Sequence, residues 1–346
     1  MKQIMYGTLF LLIPVLLFSQ VDNRPAATVR LIRSETITVQ QLKTAVESSQ
    51  RAIGRPLNRT EQRQLLDTMI DQKLVLQASE RDRVTVTETE INQAIQQLRD
   101  NLAAQLGRQP TEPEFSSAIR SQTGLEIPAF REQIRQQMVI QKYVVAKKDA
   151  LLRTYQDPTD SDILNAYNLT KSQFVRPDTI RLSMILVPIG SNQTEKNQAR
   201  TVADRLQRDI GTSSSKFDEA LLKAQSPSSG YQAGDMGYIP RTPEAQALYG
   251  SEFINTAFNL RQGEVSRRIE TPAGYHIIKV TESYSQKALG LDDIIQLGTR
   301  VTVRQYIREG LAQERQQLLL DRAIQEVIND LRLGNPFQVY ENNLTW

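Results

Sequence analysis

The sequence predicts an α+β protein: a mostly helical N-terminal module, completed by a long C-terminal helix and a terminal strand, with a compact β/α domain inserted between them. Three observations carry this reading. Apolar residues recur at helical spacing through much of the first 175 residues, and the period switches to that of strands at Thr179. A further stretch from Thr299 to Leu333 carries a single apolar stripe, which cannot stand alone and finds its nearest large unpartnered helical surface in the N-terminal module. At 346 residues, 39% hydrophobic and 23% charged, the chain has room for two or three modest domains.

Met1-Lys2 precedes an apolar run from Tyr6 to Phe18, and Ser19-Gln20 then lead into polar sequence. The run falls short of the roughly 20 residues a membrane-spanning helix needs, so residues 1–20 read as an export signal rather than an anchor. No cysteine follows it, which excludes a lipoprotein anchor; the mature chain is expected to be soluble, without a membrane span, and periplasmic.

Val29, Ile32, Ile37 and Val39 alternate around the polar pair Ser34-Glu35, predicting a short hairpin over residues 27–38. Leu66, Ile70 and Leu74 then mark one buried face of a helix over residues 59–80. Thr87-Glu88-Thr89-Glu90 is a capping box that opens a helix ending at Gly107; Thr111 to Glu114 opens a second, closing at Gly124; Pro128 leads a third to about Ala150. Asp157 to Asp162 is carboxylate-rich but lacks the glycine and distal glutamate of a calcium loop, so Thr159 and Asp162 are read as a cap for a helix ending near Gln173. Ile180 to Val187 is a strand, residues 195–210 and 216–224 are helices, and residues 226–237 are rich in glycine and serine. Two short helical pieces around residues 252–260 precede strands over 265–270 and 275–281. The long C-terminal helix, with Ile307, Leu311, Leu318, Ile324, Ile328 and Leu331 apolar, stops at Gly334-Asn335-Pro336. Phe337 to Tyr340 alternates as a last strand too short to stand alone, and the hairpin at residues 29–38 is the partner expected for it. The expected division is 1–20 signal, 21–175 helical domain, 176–284 β/α domain, and 285–346 linker, helix and strand packing on the N-terminal domain.

Composition narrows the chemistry. The chain has no cysteine and one histidine, which removes thiolate catalysis, disulfides and Cys/His metal sites; a serine triad could be built only around His276, and no nucleophile elbow accompanies it. No metal site, no cofactor and no phosphate-binding glycine loop are expected. The 42 Lys and Arg against 39 Asp and Glu argue against a nucleic-acid groove. Gly234 and Gly237 bracket Asp235 at a strand entry and are read as structural.

The residues now identify a family. Leu182-Ser183-Met184-Ile185-Leu186, Gly234-Asp235-Met236-Gly237-Tyr238-Ile239, Phe253 through Ala257-Phe258-Asn259-Leu260 to Gly263-Glu264-Val265-Ser266, and Gly274-Tyr275-His276-Ile277-Ile278-Lys279-Val280 stand in the order of a parvulin-type (rotamase) peptidyl-prolyl isomerase domain, which residues 177–283 resemble. Residues 64–74 and 130–134 resemble the N-terminal domain of SurA-type periplasmic chaperones. The resemblance implies a proline socket of Met236, Ile239 and Phe253 with Phe258 behind them. It also implies a polar cluster of two histidines and a Cys or Asp, whose positions fall here on Met184, His276 and Ser226, or alternatively Ser228.

Isomerising an X-Pro bond means twisting an amide against a barrier of about 18–20 kcal/mol, with no covalent step. A thioether does not replace an imidazole, and a serine is not ionised near neutral pH, so weak or absent catalysis is expected; a core role for His276 and Met184 is the plainer alternative. The function expected is a periplasmic holdase for unfolded exported polypeptides, by resemblance precursors of outer-membrane β-barrels, that also meets X-Pro peptides. The alternative is an active secreted foldase, and a scaffold for one dedicated partner is a third reading.

Overall fold

The computed structural model describes residues 22–224 and 229–344. The expected signal, residues 1–20, lies outside them. In chain order the elements are β1 (Pro25–Arg30), β2 (Ser34–Thr38), α1 (Val39–Ile53), α2 (Arg59–Arg81), α3 (Glu88–Leu106), α4 (Glu112–Thr123), α5 (Ile127–Lys147), α6 (Asp149–Leu152), α7 (Asp160–Thr170), β3 (Val175–Arg176), β4 (Thr179–Pro188), α8 (Gln193–Ile210), α9 (Ser214–Lys223), β5 (Gln232–Pro240), α10 (Pro243–Tyr249), α11 (Ser251–Asn259), β6 (Ile269–Thr271), β7 (Gly274–Tyr284), β8 (Lys287–Ala288), α12 (Val303–Arg332) and β9 (Phe337–Val339). They gather into two compact units: residues up to Gln156 together with those from Gln313, and Asp157–Ala312. The α+β class holds, with a helical module, a sheet-bearing insert and a C-terminal helix and strand.

In the first unit β1 lies between β2 and β9, antiparallel to both, with Ala27 opposite Ile37 on one side and Val339 on the other. The two ends of the chain therefore share one sheet, as the terminal strand's need for a partner requires. Ala26, Ala27 and Val29 are fully buried, and they pack with Leu66, Ile70 and Leu74 of α2, Tyr143 and Val144 of α5, and Ala323, Val327 and Leu331 of α12. Arg332 near the end of α12 donates to Asp71 of α2 at 2.6 Å and lies over the Phe337 ring at 5.0 Å. Burial raises the Asp71 carboxyl above its usual range in spite of that partner. A smaller core of Phe115, Ile119, Leu125 and Phe130 joins α4 and α5, with Ile95 and Leu102 of α3 packed against it.

Three features depart from the expectation. The hairpin turns at Leu31 to Arg33, immediately before the polar pair Ser34-Glu35, which instead opens β2. What holds the turn there is Gln77 of α2: its Oε1 accepts from the Leu31 and Ile32 amides at 3.0 and 3.1 Å, while its Nε2 donates to Glu35 at 3.0 Å and Lys73 reaches the same carboxylate at 2.7 Å. Helix α1 is an element the sequence reading leaves out; a capping box of Thr38 and Gln41 opens it, and Leu42, Ala45, Val46 and Ser49 form its buried face. Finally, α7 packs in the second unit, where Ile163 meets Leu289, Val303 and Ile307, because the stripe of α7 needs a partner and the segment after β8 supplies it. The helix itself is capped as anticipated, with the Thr159 amide donating to Asp162 at 2.7 Å. Leu318, assigned above to the apolar stripe of α12, is 63% exposed.

Gln77 has 0% exposure, so Gln77→Leu removes the acceptor of two amides and should lower stability by about 1–3 kcal/mol in urea unfolding. A chain ending at Ala312 loses the α12 stripe and β9, and cooperative melting of the helical unit should disappear; an unchanged melt would refute the joined-ends architecture.

Candidate functional site

The site is built on the four-stranded sheet of the second unit, order β5-β4-β7-β6 and antiparallel throughout. Alternation along β4 sends Ile180, Leu182 and Met184 to one face and Ile185 and Val187 to the other; β7 does the same with Ile278 and Val280 against Tyr275 and Ile277. Helices α8 and α9 cover the second face through Ala199, Ala203, Leu206 and Phe217. Helices α10 and α11 cover the first through Ala245, Phe253, Ile254 and Ala257. The side chains expected at the site lie on this first face.

A bulge shapes it. Tyr238 stands opposite Arg181 and Asp235 opposite Ser183, so Met236 and Gly237 together face the single residue Leu182. Gly237 sits at φ +71°, a left-handed conformation that favours glycine, and its amide donates to Asp235 Oδ1 at 2.8 Å. Arg181 binds the same carboxylate from Nε at 3.0 Å and holds it below its usual range. The bulge turns Met236 onto the face carrying Met184 and Ile239. Gly234 departs from the expectation: it lies opposite Met184 with no left-handed backbone, and a Cβ there would meet nothing within 4 Å. At the start of β7 Gly274, φ +152°, is required by close approach, since a Cβ would fall 2.3 Å from the Val187 carbonyl.

The structure brings Met184, His276, Met236, Ile239, Phe253 and Phe258 to one apolar cluster. Phe253 meets the His276 ring edge-on at 5.4 Å between centroids. Tyr249, a residue the sequence did not single out, stacks on Phe253 at 5.6 Å; its spacing of four from Phe253 was the available signal. Ser226 and Ser228 lie outside the described residues.

His276 is 6% exposed and both ring nitrogens are engaged. Nε2 lies 2.7 Å from Thr271 Oγ1 and Nδ1 lies 3.1 Å from Met184 Sδ. A thioether has no proton to give, so we assign the hydrogen to Nδ1, which donates to sulfur, and the Thr271 hydroxyl donates to Nε2. Thr271 is a residue the sequence did not single out, because only the β6–β7 turn brings it to the ring. Burial lowers the imidazole below its ordinary value and keeps it neutral. The arrangement is an apolar cluster with one neutral polar edge. Elsewhere on the sheet, Glu282 accepts from Arg181, Tyr238 and Tyr284 at 3.0, 2.9 and 2.6 Å, and that carboxylate pushes the Tyr284 hydroxyl up to about 12. Among the described residues no group of three His, Cys, Asp or Glu could hold a metal ion.

Because His276 is the only histidine, its titration is read without overlap by NMR on untagged protein. It should protonate below the ordinary value of about 6.5. The native state then binds fewer protons than the unfolded chain, so stability should fall as pH drops from the unfolded value toward the native one, and His276→Phe should flatten that slope. A midpoint at or above the ordinary value would contradict the assignment.

Comparison with known proteins agrees with this architecture. Residues 167–284 match the PPIC-type peptidyl-prolyl isomerase (PPIASE) domain, and residues 1–144 match the SurA-like N-terminal domain. Foldase protein PrsA of Clostridium botulinum is 27% identical over 293 residues, 84% of this chain and 77% of that protein. Chaperone SurA of Alcanivorax borkumensis is 28% identical over 221 residues, 63% of this chain and 47% of that protein. A solved SurA-like chaperone of Campylobacter jejuni aligns over 92% of this chain and 99% of its own at 14% identity, with a TM-score of 0.36. The chain thus joins a SurA-like N-terminal domain to a single PPIC-type parvulin domain.

Proposed function

We propose that this protein is an exported, periplasmic holdase whose parvulin domain grips X-Pro segments of unfolded clients and isomerises them weakly or not at all. The observation that carries the reading is the state of His276: one ring nitrogen is occupied by Met184 and the other by Thr271, so no lone pair or exchangeable proton remains to act on a twisting amide. Binding and catalysis part at this point. A socket of Met236, Ile239, Phe253 and Tyr249 dehydrates a proline ring without any polar group, whereas lowering the twist barrier calls for interactions stronger in the twisted state than in the planar one.

In this reading residues 176–284 are the proline-reading domain and the helical module with residues 285–346 holds clients. Partly uncovered side chains on its helices, such as Leu98 and Leu106 of α3, are the kind of surface that competes with aggregation without ATP. Unfolded outer-membrane barrels, whose strands expose alternating apolar residues, are the client class proposed. The export signal proposed for residues 1–20 would deliver the chain there, and among the described residues no helix is long and apolar enough to cross a membrane.

The test pairs two assays on one preparation: cis-to-trans isomerisation of a short X-Pro peptide, and light scattering of an unfolded outer-membrane barrel diluted from denaturant. Suppressed scattering with little or no isomerisation is expected. Phe253 is 2% exposed, and its truncation to alanine would cost about 3–5 kcal/mol of domain stability, so Phe253→Leu is the informative change. It should weaken X-Pro peptide binding and leave scattering suppression intact. Rapid isomerisation lost on His276→Ala would instead install the foldase reading.

A further inference from the structure

The chain contains six methionines and no cysteine, so thioethers are its most oxidisable sulfur groups. Met69, Met138, Met184 and Met236 are the four among the described residues, and two of these, Met184 and Met236, belong to the socket cluster. Met184 differs from the rest in what its sulfur touches. Its Sδ lies 3.1 Å from Nδ1 of His276, a donor matched with a weak acceptor. It is also only partly buried, and on the β5 side its cross-strand neighbour is Gly234, where an added Cβ would meet nothing within 4 Å. Gly234 thus puts no side chain opposite Met184, and the space a Cβ would take there is empty.

We propose that Met184 is a reversible oxidation site through which peroxide switches off proline binding. The proposal rests on the socket reading above and adds its regulation. In the step, a sulfur lone pair attacks one oxygen of hydrogen peroxide; the S–O bond forms as the O–O bond breaks, and the departing hydroxide takes up the hydroxyl proton. The products are methionine sulfoxide and water, sulfur having lost the two electrons that peroxide gains. The new oxygen is a far stronger acceptor than the thioether, so it captures the His276 Nδ1 hydrogen and pulls a polar group into the apolar face where Phe253 meets the imidazole. A proline ring entering that socket then meets a dipole it cannot satisfy. Met69 and Met138 serve as internal references, since Met69 packs against the core of the other unit and Met138 lies on α5.

Untagged ¹⁵N-labelled protein is treated with graded hydrogen peroxide, and sulfoxide occupancy at each methionine is read by peptide mass spectrometry. In the same samples one measures the affinity for an X-Pro peptide and the ¹⁵N shifts of the single imidazole. Affinity should fall about tenfold in step with Met184 oxidation, as expected when a polar S–O group occupies the apolar socket and must be desolvated by the proline ring. The Nδ1 resonance should move with it, and methionine sulfoxide reductase with a thiol reductant should restore both. Met184→Leu, compared with itself before and after the same treatment, should keep its affinity. The proposal is overturned if Met69 and Met138 oxidise while Met184 does not, if oxidised Met184 leaves the imidazole resonance unmoved, or if Met184→Leu loses affinity in parallel with the parent chain. Absence of peptide binding before any oxidant would defeat the socket reading, and the imidazole resonance would still decide whether sulfur oxidation rewires His276.

Discussion

A buried strand must have both of its hydrogen-bonding edges filled, and this chain meets that demand twice. In the helical unit β1, whose Ala26, Ala27 and Val29 are fully buried, is flanked by β2 from its own hairpin and by β9 from the far end of the chain. In the sheet unit β4 is buried on alternate residues toward two different cores and is flanked by β5 and β7. Much else follows from these pairings. The first makes α12 and β9 part of the N-terminal core, so the domain between them is an insertion by necessity. The second fixes which face Met184 and His276 share, and a slip of one residue in β7 would turn His276 away from it.

The same geometry limits the chemistry. Register, the Met236–Gly237 bulge pinned by Asp235 and the stack of Tyr249 on Phe253 gather an apolar cluster. The polar edge of that cluster is one imidazole, desolvated and neutral, bonded on one side to a hydroxyl and on the other to a thioether. On the proposed reading such a site grips a proline ring and has little with which to favour the twisted amide. The charged groups of the sheet are engaged elsewhere: Asp235 pins the bulge and Glu282 binds three donors.

Much of this was legible in the residues, and the gaps have physical causes. Capping boxes at Thr87 and Thr159 predicted their helices because the signal is local: Glu90 and Asp162 reach back to those amides at 2.9 and 2.7 Å. That Met184, Met236, Ile239, Phe253 and Phe258 share one cluster was legible because they lie within ordered motifs, whereas Tyr249 lies outside them. The hairpin turn was misplaced because Gln77, 45 residues from Ile32, decides where the strand reverses, and a polar pair in the sequence carries no trace of that contact. Thr271 was invisible for a related reason, since only folding places its hydroxyl against His276. Helix α1 was missed although its glutamine cap and Leu42–Val46 spacing were present. The assignment of α7 to the sheet unit depended on Leu289, Val303 and Ile307, more than 120 residues away.

The central claim is that replacing an imidazole by a thioether at residue 184 leaves a binder where a catalyst could stand. Met184→His returns an imidazole beside His276 on the same face of the sheet, and the direct measurement is the X-Pro isomerisation rate of that variant against the parent chain. The account predicts a rise of about tenfold or more with peptide affinity broadly kept. A parent chain that already isomerises as fast as the variant would contradict it.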